Sequence, residues 1–261
     1  MIERAYEKIK VTHDGGVVTL TLSNPTRRNA IGPRMANELL YALDDARAAA
    51  DVRVVVLTGE GKAFCSGGDF AEMTSGATES ALPHKGDYAD VLLAMSRTDK
   101  PIVARVNGVA MGGGLGLVAA STLAVAASDA KLGTPEIDVG LFPMMIMAVL
   151  TRFVPRRRLV QMMLLGEKIG ADEALRLGLV NEVTSPDDLD ASVKRIVDAL
   201  VSKSPSTIAL GLRAYVEQDG LDLEAALPLL RTKLAEVLAT NDAREGLMAF
   251  LEKRSPKWTG T

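Results

Sequence analysis

An α/β fold is predicted by three features of the chain: valine-rich runs of strand length, glycine-containing turns directly after them, and a last third that reads as helix. The elements follow in order. Residues 6–12 and 17–22 read as an antiparallel pair around a turn at 13–16. Gly32 and Pro33 open a helix to about residue 50, with Met35, Leu39, Leu43 and Ala46 on one face. Residues 51–58 (DVRVVVLT) alternate poorly but are rich in valine, as a strand covered on both faces requires. A glycine-containing turn over 59–70 follows, then a variable segment over 74–88 that is expected to be a mobile loop. Residues 102–106 read as a short buried strand, 107–114 as a turn, and 115–120 as the apolar start of a helix. Strand-then-helix units continue to about residue 165. After Val183 the expectation is helix over 187–202, 205–218 and 223–253, the last interrupted or kinked near Pro228 and Asn241. No internal repeat or low-complexity linker divides the chain.

Composition narrows the function classes. An apolar share of 48% supplies a large core, and a net charge of −3 without a basic, aromatic-interleaved patch argues against nucleic acid as partner. The single cysteine, Cys65, excludes an internal disulfide, and no Cys/His cluster points to a metal, so a buried small hydrophobe is its expected role. The start, MIERAYEKIK, carries acidic residues and no apolar h-region, so neither a signal peptide nor a membrane span is expected, and the location is taken as cytoplasmic.

The chemistry concentrates between residues 59 and 143. Glycines at a helix entrance let the backbone approach a ligand, and the free N–H groups there favour negative charge. The triple glycine at 112–114 fits that use, and by itself it fits equally a turn that only packs helix on strand. Its frame is not GxGxxG and no Lys-Ser/Thr pair follows, so it is neither a dinucleotide nor a P-loop fingerprint. GEGKAFCSGGDF at 59–70 is a second glycine turn after a strand. Two such turns can each aim one backbone N–H at a single oxygen, the minimal two-donor oxyanion hole. One carboxylate, Glu136, follows in TPEI between Leu132 and Ile137: a proton carrier, or a side chain paired with arginine or facing water. Were that segment extended, Asp138 would share its face. The only histidines, His13 and His84, lack a triad-like context, which leaves Ser66 without support as a nucleophile.

In order and spacing, SNPTRRNA (23–30), GKAFCSGGDF (61–70), KPIVARVNGVAMGGG (100–114), GTPEIDVGLFP (133–143), LLGEKIGADEALRLGLVNEV (164–183) and DAREGLMAFLEKRSPK (242–257) resemble the crotonase, or enoyl-CoA hydratase/isomerase, superfamily over nearly the whole chain. The resemblance implies a crotonase-like ββα superhelix, with a core and acyl-CoA site over 1–190 and a helical C-terminal trimerisation region over 191–261. It also implies a homotrimer or dimer of trimers, with no cofactor beyond the CoA moiety of the substrate. Carried across residue by residue, Gly68 and Gly113 are the two backbone donors to the thioester oxygen and Glu136 is the acid/base. Arg28, Ala30, Ser66, Asp69 and Phe70 match positions along the CoA path. Phe250 and Lys253 match positions that reach the adenine and phosphate end of a neighbouring subunit's CoA. The 74–88 segment, with His84, is expected near the acyl pocket, and Phe142, Met144, Met145, Ile146 and Met147 suggest a pliable apolar pocket or ordinary helix core.

One family residue is missing. Hydratases of the superfamily carry two glutamates that position and activate water; here Gly116 stands in place of the first, and only the second, Glu136, is retained. Met144 stands where the family's aryl-CoA dehalogenases have a nucleophilic aspartate. A single carboxylate shuttling a proton between two carbons favours double-bond isomerisation. The alternatives are a hydratase whose water is held by backbone groups in the space vacated at Gly116, and a CoA-thioester-binding protein with little catalysis.

Overall fold

The computed structural model describes residues 4–75 and 81–261. Strands β1 (Ile9–Asp14) and β2 (Val17–Leu22) form an antiparallel hairpin. Its loop is only Gly15-Gly16, both at positive φ, so His13 and Asp14 belong to the strand rather than to the expected turn. Helix α1 (Pro33–Ala48) has Gly32 at its N-cap and buries Met35, Leu39 and Ala46.

Three ββα units follow. β3 (Val54–Gly59) and β4 (Ala63–Cys65) lead to α2 (Phe70–Ser75) and α3 (Tyr88–Ser96); β5 (Ile102–Val106) and β6 (Val109–Met111) lead to α4 (Gly113–Ala120); β7 (Leu123–Ala127) and β8 (Lys131–Gly133) lead through a 3-10 turn, Pro135–Val139, to α5 (Met144–Leu150). In each unit the first strand joins a six-stranded sheet and the second a four-stranded sheet. α6 (Arg156–Leu165), β9 (Lys168–Gly170), α7 (Ala171–Arg176) and β10 (Glu182–Thr184) complete this part. The larger sheet runs β1-β2-β3-β5-β7-β10, parallel from β2 onward, and the smaller β4-β6-β8-β9, parallel through β8.

The valine run of β3 is apolar throughout because both faces are covered. Val55 and Leu57 enter the main core beneath α1 and α4, while Val54 and Val56 pack with Leu189, Val193 and Val197 of α8 (Leu189–Val201). The corners between paired strands are tied by Asn107, whose Nδ2 donates to the carbonyls of Gly59 (3.0 Å) and Gly61 (2.9 Å) and whose Oδ1 accepts from the Gly59 N–H. That tie sets β4 beside β6.

The last helices are α9 (Pro205–Glu217), α10 (Leu223–Leu238) and α11 (Asn241–Glu252). The helical run expected over 223–253 is divided by Thr240, whose side chain caps α11 by accepting from Ala243 N. Pro228 lies inside α10 without ending it.

Candidate active site

The three parallel strands of the smaller sheet, β4, β6 and β8, end side by side, and each is followed by one part of the predicted chemistry: Gly67-Gly68, Gly112-Gly113, and Thr134–Glu136. Sites at the carboxyl ends of parallel strands are the rule in α/β folds.

The first turn is bracketed by Ile31. The Ile31 N–H donates to Gly67 O (2.8 Å) and Asp69 N–H donates to Ile31 O (2.9 Å), while the Gly68 N–H between them has no acceptor among the described residues. Gly113 is the first residue of α4, and its N–H is likewise without an acceptor among the described residues, as expected in a first helical turn. A Cβ on Gly113 would lie 3.0 Å from Ile31 Cγ2. Ile31 therefore touches both turns, with its backbone at one donor and its side chain at the other. The N-terminal end of α4 adds its positive dipole where negative charge would develop on an oxygen.

Gly112 has φ 50° and ψ −120°, a conformation open essentially to glycine, and its N–H is held by Gly133 O at 2.9 Å. A Cβ there would lie 2.8 Å from Glu136 Oε1, so the carboxyl group stands directly over the second turn. Glu136 is half-buried; burial raises its pKa above the ordinary carboxylate value, and its Oε2 is buried without a hydrogen-bond partner. Because 135–139 is a 3-10 turn rather than extended chain, Asp138 points away from Glu136's face and is exposed against Gly166, a correction to the shared-face expectation.

The space opposite Gly116 is full. A Cβ on Gly116 would collide with the Tyr88 hydroxyl and lie 2.5 Å from Ile146 Cγ2. Tyr88, the first residue of α3, donates its hydroxyl to Gly113 O at 2.5 Å. Burial, with smaller effects from Cys65 and Glu136, raises its pKa well above that of free tyrosine, so it stays protonated. A side chain at position 116 would therefore have to displace Tyr88 or Ile146. Tyr88 was not singled out from the sequence. The available signal was Asp87, which caps the apolar helix 88–96 in a capping box with Asp90.

The residues expected along the CoA path are brought together. Ser66 N–H donates to Arg28 O (3.0 Å) and Ser66 Oγ to Arg27 O (3.0 Å), joining the 24–31 turn to the first donor turn. Asn29, buried at φ 58°, anchors that turn through Nδ2 to the carbonyls of Glu60 and Ala63. Arg28 and Phe70 are exposed and Ala30 is buried. Asp69 is buried and already engaged, accepting from Asn24 Nδ2 and Glu72 N–H, with Arg27 at 3.8 Å. Phe250 and Lys253 are elsewhere in the chain, both exposed, on α11 and at its C-cap, and it is the helix that packs with α9 and α10.

Of the methionine cluster, Ile146 is core, Phe142 and Met147 pack partly against the core, and Met144 and Met145 are exposed. Cys65 is buried and its thiol is pushed up to about 12 by burial, which fits an inert packing role. His84 is exposed. Its segment is tied to α1 at Pro83 O, which accepts from Asn37 Nδ2, and at Lys85 N–H, which donates to Asn37 Oδ1. Residues 76–80 of the expected loop lie outside the described residues. Among the described residues, no group of three His, Cys, Asp or Glu side chains is placed to hold a metal, and no helix is long and apolar enough to cross a membrane.

Two glycine N–H groups without acceptors among the described residues and one half-buried carboxyl thus lie at the ends of the parallel strands of a ββα fold. Residues 12–261 match the family described as enoyl-CoA hydratase/isomerase, and the chain belongs to it. It is 35% identical over 247 residues to the mitochondrial enoyl-CoA hydratase domain-containing protein 3 of Mus musculus, covering 94% of this chain and 82% of that one. It is also 35% identical over 247 residues to a putative enoyl-CoA hydratase of Thermus thermophilus, covering 94% of this chain and 98% of the relative. The crystal structure of an enoyl-CoA hydratase from Mycobacterium smegmatis superposes with a TM-score of 0.90 at 37% identity, covering 97% of this chain and 99% of the other.

Proposed function

We propose that this acyl-CoA enzyme moves the double bond of an enoyl-CoA through a thioester enolate, with the N–H groups of Gly68 and Gly113 as donors to the thioester oxygen and Glu136 as the single acid/base. The observation that carries this reading is the lone carboxyl: Glu136 stands over Gly112 with Oε2 unpartnered, and the Gly116 position opposite is filled by Tyr88 and Ile146.

The chemistry balances on these groups alone. Ionised Glu136 takes a proton from the α-carbon of a 3-enoyl-CoA. The C–H electron pair delocalises through the thioester onto its oxygen, where the two N–H groups and the α4 dipole stabilise the negative charge. The same carboxyl, now protonated, returns the proton to the γ-carbon; the electrons leave the oxygen and the product is the conjugated 2-enoyl-CoA. Burial favours this cycle because a carboxylate with a raised pKa is a better base and its conjugate acid is closer in energy to the carbon acid. Arg28, Ala30, Ser66 and Phe70 line the CoA path in this reading, with Asp69 holding their turn in place; Phe250 and Lys253 serve the CoA of a neighbouring protomer in a trimer or dimer of trimers.

The test is incubation with a 3-enoyl-CoA and, separately, crotonyl-CoA, followed by thioester absorbance and product mass. Conversion of the 3-enoyl to the 2-enoyl compound without mass change supports the isomerase. Gain of one water by crotonyl-CoA supports hydration, the reading favoured by the relatives' names. Binding of CoA thioesters without turnover of either supports a weakly catalytic protein.

A further inference from the structure

The region around Gly116 has a more specific consequence, which rests on the isomerase reading above. In the buried space beside the Gly112–Gly113 turn, two side chains from distant elements converge: Tyr88 at the start of α3 and Ile146 in α5. Both are buried, and neither has an assigned part in the proton transfer. From Tyr88 Cζ to a Cβ built on Gly113 is 3.5 Å, and Glu136 Oε1 lies 2.8 Å from a Cβ built on the neighbouring Gly112. The ring and the carboxyl therefore both stand against the turn that would supply one oxyanion donor.

We infer that Tyr88 and Ile146 are specificity-determining residues that exclude water from the acyl face opposite Glu136, so that the proton held by Glu136 returns to carbon and no water adds to the double bond. A water needs both room and polar partners. Polar partners are present in the 134–136 turn, where Glu136 Oε2 and Thr134 Oγ1 are buried without hydrogen bonds. The room beside Gly116 is taken by the phenol and the Ile146 branch. The hydroxyl of Tyr88 is no substitute nucleophile, since it is committed to Gly113 O.

The experiment compares hydration with isomerisation, by product mass, in the native chain, in Tyr88→Ala, in Ile146→Ala and in Tyr88→Ala/Gly116→Glu, the last placing a carboxylate in the opened space. The expected result is a native enzyme that isomerises, a ratio of hydration to isomerisation raised about tenfold or more in either opened variant, and a further rise with Gly116→Glu. A merely structural role would lower both rates together and leave their ratio unchanged; that result, in a folded variant of an isomerising enzyme, overturns this inference and leaves the isomerase reading intact. A native enzyme that hydrates crotonyl-CoA faster than it isomerises overturns both. If the native chain turns over neither substrate, the isomerase reading fails; hydration gained by Tyr88→Ala or Ile146→Ala then still supports exclusion of water, and its absence in both folded variants overturns it. Should the opened variants not fold, thermal unfolding of Gly116→Ala alone and with Tyr88→Phe gives the answer. A filled space predicts that removing the hydroxyl reduces the destabilisation by Gly116→Ala, and an unchanged penalty overturns the packing on which the inference stands.

Discussion

Glu136 is held where its charge is least welcome, and that tension makes its role measurable. Burial raises its pKa, so the carboxyl's contribution to stability is present below the ordinary carboxylate value and is lost as pH rises through the folded pKa. At neutral pH the ionised group weighs against folding. Glu136→Gln should therefore lower turnover by about 10²–10⁴-fold while leaving the melting temperature at pH 7 equal or higher, a combination that a structural glutamate would not give. Since proton abstraction requires the ionised form, the acid limb of the native pH–rate profile should lie above the ordinary carboxylate range. Gly112 tests the placement of the same group. An alanine there meets both a positive-φ backbone and Glu136 Oε1 at 2.8 Å, so Gly112→Ala should cost about 10²-fold in kcat by displacing the carboxyl. At this scale the sequence was informative about presence and absence: Glu136 and the glycines could be read in place, and so could the missing glutamate at Gly116. What fills that absence could not be read, because Tyr88 and Ile146 lie 28 and 30 residues from Gly116 in the chain and meet only through packing of α3 and α5 against α4.

Elements with enough residues to show a period were legible, and those of three residues were not. The valine run of β3 and the amphipathic α1 were found close to their observed bounds. β6, only Val109–Met111 between two glycines, was read as part of a turn, although its pairing with β4 and β8 aligns the site. Its successor α4 is seated by Gly114, where a Cβ would run into the Cys65 carbonyl at the end of β4. A backbone carbonyl cannot swing aside as a side chain can, so Gly114→Ala should destabilise the fold by about 1–3 kcal/mol in urea unfolding. The C-terminal tail depends on a buried carboxylate in α11. Burial alone would push Asp242 up, but hydrogen bonds from Ser204, Thr259, Ser206 and Gly260 more than offset it and hold the pKa down to about 2. Trp258 Nε1 donates to Ser202 O (2.7 Å) beside this clasp. The Asp242 contribution is fully present above the ordinary carboxylate range and is lost as pH falls through about 2. Asp242→Ala should cost about 1.5–3 kcal/mol at pH 7 and expose Trp258, with fluorescence following the release.

Over the whole molecule, apolar exposure falls on two stretches, residues 137–165 (Val139, Met144, Leu164 and Leu165 among them) and the last three helices. Tyr215 (72%), Leu223 (71%), Phe250 (82%) and Leu251 (73%) stand open, together with Leu227, Leu234, Leu238 and Leu247. Single exposed apolar residues are ordinary, whereas contiguous patches mark interaction surfaces, so assembly through these helices is the expectation to test. The expected outcome in light scattering is a mass of three or six chains. Phe250→Asp/Leu251→Asp should shift that mass downward, because a charge buried at each copy of a shared face costs far more than the same charge in water. The consequence for catalysis separates assembly from folding. If Phe250 and Lys253 complete a neighbour's CoA site, Lys253→Ala should raise KM for the acyl-CoA with little change in kcat, because the lysine lies on α11, which packs with α9 and α10 away from the Glu136 turn. Loss of assembly through Phe250→Asp/Leu251→Asp should raise KM in the same direction while Glu136 and both donor glycines, supplied by one chain's smaller sheet, remain in place. An unchanged KM in a dissociated but folded variant would assign the whole CoA site to the single chain and leave the exposed helices an assembly role only.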